Sequence, residues 1–276
     1  MSAAEGTGRL GRVANGAVIA VIVAVVLVPI YWMVSTSLKP NKEITQDATL
    51  YPHSASLDNY SRLFSEKDFG RFLVNSLVVT GASVVLALAF GSLGAYAIAR
   101  FRMRFGLERR IGLMLLTMRI VPAVVILIPV YLLILRLGLL DSWLGLIITY
   151  TAMNITFVVW MMESFFREIP VDLEEAAMVD GDSRLTAFRR IVLPLAAPGI
   201  VATAIFAVIV TFNEFLFALA LTATPRSMTM PRGAATLIGR IDTDWASMSA
   251  AGVVGALPIV IFALVVQRHL VRGLTL

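Results

Sequence analysis

The chain has 276 residues, 58% of them hydrophobic and 15% charged, and its mean hydropathy is +0.85. That is too apolar for an ordinary soluble domain and marks an integral membrane protein. With no cysteine there is no disulfide framework, thiolate nucleophile or cysteine-based metal site, and the net charge of +5 is dispersed over short loops rather than gathered on the basic face that a nucleic-acid reader needs.

Residues 1–12 form a polar segment with Arg9 and Arg12, and an apolar run from about Val13 to Ser37 follows. Its length, and the lack of a small-x-small cleavage site before Tyr31-Trp32, favour a retained span over a signal peptide. Pro29 is tolerable inside a membrane helix. Residues 38–72 make a polar loop too long for a simple turn, with Pro40, Pro52 and His53, which reads as a solvated residue rather than a ligand.

The second span is expected from Leu73 to Ala99. Within it Gly91, Ser92, Gly94 and Ala95 offer a small face for the close approach of another helix, although lipid-facing filler fits the same residues. Arg100, Arg102, Arg104, Arg109 and Arg110 follow in one short loop. The third span is expected from Ile111 to Leu135, with kink sites between Thr117 and Pro122 and at Pro129, and the fourth from Trp143 to Phe165. A polar stretch, 166–195, precedes the fifth span, Ala196 to Leu221. A loop with Pro225, Pro231, Gly233, Asp242 and Asp244 leads to the sixth, Ser247 to Val266, beyond which His269 reads as solvated.

The expected fold is therefore an all-α integral membrane protein of six transmembrane helices, with 13–276 as one transmembrane domain. If the N-terminus is cytoplasmic, that side carries 13 Lys and Arg against 9 outside, and the arginine cluster between spans two and three is the densest. Both termini and the 166–195 loop then face the cytoplasm.

Arg119, Glu163 and Glu214 fall within or near spans, where an unpaired charge is costly. Glu163 is close enough to the end of span four to snorkel. Phe212, Asn213 and Glu214 lie deeper, and two readings stand: aromatic and polar groups lining a translocation path, or an interhelical salt bridge, with Arg119 as partner, that fixes packing. Asn154, near Thr149, Thr151 and Thr156, is a further candidate for the path, although threonine in a membrane helix also bonds its own backbone.

Pro170 to Pro194 reads as two short helices joined at Gly181. Asp172 and Glu175 have capping-box spacing, Glu174, Glu175, Ala176 and Ala177 favour helix, and Gly181 can take the positive φ that ends one. Asp182 or Ser183 can cap a second helix that carries Arg184, Arg189 and Arg190 and ends near Pro194. A pair this short is not stable alone in water. Leu173, Ala176, Ala177, Leu185, Phe188 and Ile191 offer it an apolar surface for a partner's groove, while a solvated loop lying on lipid headgroups is the plainer alternative.

The pattern Glu175-Ala176-Ala177, Gly181, Ile191 and Leu193-Pro194 resembles the EAA loop of ABC importer permeases. Ser37-Leu38-Lys39-Pro40, Glu43, Asn59-Tyr60, Phe72, Asn75-Ser76 and the closing His269 to Thr275 are similar to the carbohydrate-uptake, maltose-type branch of that family. The resemblance implies a permease subunit in the bacterial plasma membrane that moves a sugar or sugar-like solute by alternating access. Its implied partners are two ATPase subunits, a second related permease and an extracytoplasmic solute-binding protein, besides the solute and membrane lipid.

The ATPase-coupling residues it implies are Glu174, Glu175, Ala176, Ala177, Asp180, Gly181, Asp182, Arg184, Phe188, Ile191, Leu193 and Pro194. No catalytic or metal-binding residue is expected. The chain has no Gly-x-x-x-x-Gly-Lys-Ser/Thr phosphate loop, so ATP and Mg are assigned to the ATPase subunits and no cofactor to this chain. Members of the family usually continue past the Gly-Leu-Thr seen here at 273–275, which leaves a tail contact with the ATPase open. The competing reading is a self-sufficient secondary transporter with Arg119 and Glu214 in ion coupling, which gives the 166–195 loop no purpose and needs two matching halves that are not evident.

Overall fold

The computed structural model describes residues 6–46, 49–101, 106–239 and 243–273. In chain order the helices are α1 (Gly6–Ser37), α2 (Asn41–Gln46), α3 (Asp58–Ser65), α4 (Phe69–Arg100), α5 (Leu107–Ile120), α6 (Ala123–Arg136), α7 (Trp143–Glu168), α8 (Asp172–Val179), α9 (Arg184–Ala187), a π-helical turn (Phe188–Val192), α10 (Leu193–Leu195), α11 (Ala197–Phe212), α12 (Leu216–Leu221), α13 (Met230–Ala235) and α14 (Trp245–Gly273). The chain folds as two units, one from residues 1–68 and 236–254, the other from 69–235 and 255–276.

Among the described residues four helices are long and apolar enough to cross a membrane: α1 over Ala14–Ser37, α4, α7, and α14 over Trp245–Val265. The third and fifth spans read from the sequence are not single helices. Pro122 has no N–H to donate and drives Val121 into extended backbone (φ −65°, ψ 123°), so the third divides into α5 and α6, of 14 residues each. Pro129, read as a kink site, lies inside α6 without ending it. The fifth unwinds over Asn213–Phe215, leaving α11 with 16 residues and α12 with six. At its other end, the helical rod from Arg184 to Leu195 meets α11 at an angle of 74°. The first helix begins at Gly6, inside the segment read as a polar lead-in.

In the first unit, α1 exposes apolar side chains from Val18 to Val34, the all-round pattern of a helix solvated by lipid. Its C-terminal end is buried and stapled by polar groups of the following loop. Asn59 Nδ2 donates to Ser37 O and Lys39 O, both at 2.8 Å, and the Ser37 and Tyr60 hydroxyls lie 2.7 Å apart. Lys39 Nζ donates to Thr49 O and sits 5.1 Å from the Trp32 ring centroid. Glu43 accepts the backbone N–H of His53 at 3.0 Å and the Thr49 hydroxyl at 2.9 Å; the His53 bond, chiefly, holds its carboxyl below the usual carboxylate range. His53 itself is exposed, and the side chain of His269 lies outside the described residues.

In the second unit, α4 and α7 run parallel along most of their length. Ser83 approaches Ile147 and Thr151, Gly91 faces Val158, and Arg100 reaches Ile169. A Cβ added at Gly91 would lie 2.7 Å from Val158 Cγ1, so this is the small face at which the second helix seats. One buried cluster, with Ala95, Tyr96, Val158, Phe166 and Phe188, fills the C-terminal ends of the pair; another, with Val79, Ile134, Leu146, Tyr150 and Phe217, fills the N-terminal ends. The start of α11 lies against α7, with Gly199 directly under the Phe165 ring.

Candidate functional site

The stretch from α8 to α10 begins where Ile169-Pro170 ends α7. Its first turn does not form the expected capping box. The N-cap is Val171, whose carbonyl accepts the N–H groups of Glu174 and Glu175 at 2.9 and 3.1 Å; Asp172 is already helical and cannot swing back to cap. Three acids in this first turn, Asp172, Glu174 and Glu175, suit the positive end of the helix dipole.

The helix ends in a Schellman pair. The Asp182 N–H donates to Ala177 O at 3.0 Å and the Gly181 N–H to Met178 O at 3.2 Å, which requires the left-handed backbone that Gly181 adopts (φ +99°). Ser183 Oγ accepts the Thr186 N–H at 3.2 Å and caps α9.

Glu174 points inward and its side chain is 2% exposed. It accepts the Tyr96 hydroxyl and, at 2.5 Å, Arg100 Nε, while Arg100 Nη2 donates to Ile169 O at 2.9 Å. Phe188, which the sequence places on the docking surface, is instead core. Its ring fills the space between α4 and α7, with centroids 4.5 Å from Tyr96 and 5.9 Å from Phe166. Ala177, Ile191 and Leu193 are half-buried.

Leu173, Glu175, Ala176, Asp180, Arg184 and Pro194 face outward, with an apolar tip at Val179, 87% exposed, and Leu185, 58% exposed. Arg190 pairs with Asp182 at 3.4 Å, and the Arg184 guanidinium lies 5.1 Å from the Phe101 ring.

A second polar group lies between α7 and the break after α11. Asn154 is buried and donates through Nδ2 to Tyr150 O and Thr211 Oγ1, both at 2.8 Å. Glu214 accepts the Tyr150 hydroxyl at 2.6 Å and the N–H groups of Phe217 and Ala218 at 2.9 and 3.2 Å, which caps α12. With Met153, Phe157 and Val210, these residues line a cavity of about 150 Å³.

Of the residues read as path candidates, Asn154 and Glu214 meet there. Phe212 is buried at the end of α11, and Asn213 is exposed with its Nδ2 on Ile209 O. The side chain of Arg119 lies outside the described residues. Thr149 and Thr156 bond backbone carbonyls of their own helix, and Glu163 pairs with Arg167 one turn on, at 2.8 Å. Sequence reading missed Tyr96, Arg100 and Tyr150. Arg100 looked like one of five loop arginines, and a tyrosine in a span carries no signal of its own.

Asp141, in the connection between α6 and α7, accepts four bonds: from the Ala223 and Thr224 N–H groups and from the Thr224 and Ser227 hydroxyls, at 2.5–3.0 Å. Partial burial raises its pKa, but these bonds outweigh it and hold the carboxyl well below the usual range. The loop after α12 is thereby pinned to the start of α7. Among the described residues no group of His, Asp and Glu is arranged to hold a metal ion.

Residues 87–276 match the family described as binding-protein-dependent transport system inner membrane component. The chain is 37% identical over 256 residues to the trehalose transport system permease protein of Mycobacterium tuberculosis, with 92% of each chain covered. It is 35% identical over 250 residues to the sulfoquinovosyl glycerol transport system permease protein of Agrobacterium fabrum, with 90% of this chain and 87% of that one covered. Among solved structures it resembles a chain of a bacterial ABC transporter involved in the import of the acidic polysaccharide alginate, with a TM-score of 0.80 over 95% of this chain and 97% of that one. The identity there is 24%, so that likeness speaks for the fold alone.

Proposed function

The chain belongs to the inner membrane components of binding-protein-dependent transport systems, and from that premise we propose that it is a permease subunit of an ATP-driven importer of a sugar or sugar glycoside. The solute class rests on the names of the trehalose and sulfoquinovosyl glycerol relatives. ATP and Mg belong to separate ATPase subunits, and a second related permease and an extracytoplasmic binding protein complete the assembly. α5 with α6, and α11 with α12, each make one crossing, which gives six crossings with both termini and the α8–α10 loop in the cytoplasm.

The observation that carries this reading is the exposed tip of that loop. An apolar end at Val179 and Leu185, rimmed by Glu175, Asp180 and Arg184, is braced by a Schellman turn and a buried ion pair yet has no cover among the described residues. Such a surface suits a groove on an ATPase subunit. In this assignment Glu175, Ala176, Asp180, Arg184 and Pro194 make contact, Gly181 and Asp182 shape the turn, and Glu174, Ala177, Phe188, Ile191 and Leu193 seat the loop. Closure of the ATPases on ATP drives it and switches the path between its two openings.

The cavity at Asn154 and Glu214 is a stretch of that path. At about 150 Å³ it is smaller than the roughly 300–1,000 Å³ of a drug-sized ligand site, so it does not enclose the solute by itself. Ion coupling through Glu214 is disfavoured because three donors already engage its carboxylate.

The test is purification of the tagged chain in mild detergent. Recovery of an ATPase and a second permease is expected, with hydrolysis stimulated by a sugar-loaded binding protein. Recovery of the chain alone, active in uptake without ATP, refutes the proposal.

A further inference from the structure

Resting on the importer reading, one cluster remains that no docking role explains. Glu174 sits within the sequence pattern of a contact loop, yet its side chain is 2% exposed and that of Arg100 3%. Neither can reach a partner protein. Arg100 extends from the last turn of α4 and grips two other elements at once, the Ile169 carbonyl that ends α7 and the Glu174 carboxylate in the first turn of α8. Tyr96, one turn earlier on α4, touches both arms of the loop: its hydroxyl donates to Glu174, and its ring lies 4.5 Å from that of Phe188 beyond the turn.

A buried ion pair adds little net stability compared with apolar side chains of the same volume, because desolvating two charges offsets their attraction. What it supplies is direction. The Arg100 fork matches one geometry of carboxylate and carbonyl, and a displaced loop leaves a buried charge unpaired.

We infer that Tyr96, Arg100 and Glu174 form the joint through which movement of the α8–α10 loop is passed to the parallel α4–α7 pair, as positioning residues for the transport step. The loop cannot tilt away from α4 without breaking the ion pair, so a displacement imposed at Val179 and Leu185 carries α4 and the end of α7 with it. A loop held by apolar packing alone would slide.

The experiment uses the complete complex with its binding protein in proteoliposomes, and reads solute imported per ATP hydrolysed together with the yield of intact complex. Tyr96→Phe removes one hydroxyl and keeps the ring; Glu174→Gln keeps the shape and removes the charge. In both the complex is expected to assemble and ATP to be hydrolysed, while import per ATP falls by about fivefold or more, the lower end of typical coupling between sites.

An unchanged ratio in the two variants overturns the joint, and so does loss of assembled complex in both, which would make the cluster purely structural. If Glu174→Gln alone fails to assemble, the ratio in Tyr96→Phe decides. A wild-type complex that shows no ATP-dependent import would sink the importer reading instead, so the two failures are distinct.

Discussion

Replacing Glu214 with alanine separates the two roles its position allows. The hydroxyl of Tyr150, a residue 2% exposed, would lose its acceptor, and the N–H groups of Phe217 and Ala218 would lose theirs. Stranding a buried hydroxyl costs about 1–3 kcal/mol, and losing a helix cap about 1 kcal/mol. The expected loss is therefore roughly 2–4 kcal/mol. Tyr150→Phe removes only the donor, and hydrogen bonds between membrane helices are worth about 0.5–2 kcal/mol.

In the Tyr150→Phe background there is no hydroxyl to strand, so Glu214→Ala should cost about 1–3 kcal/mol less there than in wild type. Unfolding of the purified complex in detergent measures the stability of all four members of the cycle, and uptake at several solute concentrations is read beside it. If Glu214→Ala unfolds with wild type and raises the solute concentration needed for half-maximal uptake, the carboxylate faces solute and does not hold the helix break.

Glu175→Lys and Gly181→Pro should each uncouple uptake from ATP hydrolysis in membranes where the chain is inserted at its normal level; proline cannot adopt the φ of +99° at 181, and full uptake by either variant refutes the docking role. Asp141→Asn should lower thermal stability by an amount that is constant through neutral pH. Because the folded pKa is depressed, the wild-type advantage is fully present above the unfolded value of about 3.9 and fades only as pH falls below it. A difference between wild type and variant that vanishes between pH 7 and 5 would contradict this. Gly91→Ala should destabilise by about 1–3 kcal/mol through overlap with Val158, and adding Val158→Ala should recover part of that loss; simple additivity in the double variant would show that the two helices do not meet there.

The long apolar runs that became α1, α4, α7 and α14 were legible because their length and hydropathy leave a membrane helix as the natural assignment. Pro122 also announced itself, but only as a kink; the full break depends on Val121 taking extended backbone. The Gly181 turn could be read from spacing, since glycine between two short helix-forming stretches has one common use. Phe188 was misplaced because a hydrophobic residue beside arginines fits either face of a short helix, and the packing of α4 against α7 decides which. The Tyr96–Arg100–Glu174 and Tyr150–Glu214 contacts join residues 64–78 positions apart. Local pattern carries no information about such pairs: the first exists only once α8 is seated against the end of α4, the second only once the break after α11 packs against α7.

The bend at Ala196 sets the mechanical character of the fold. With α11 inclined at 74° to the rod that precedes it, a thrust along that rod is nearly perpendicular to α11 and can do little work along its axis. It acts instead as a torque about the elbow, where Gly199 lies beneath the Phe165 ring and forms a tight fulcrum. The end of α11 farthest from the elbow is the unwound Asn213–Phe215 segment, so any rotation of α11 about the elbow would give its largest sideways sweep at the wall of the Asn154 and Glu214 cavity.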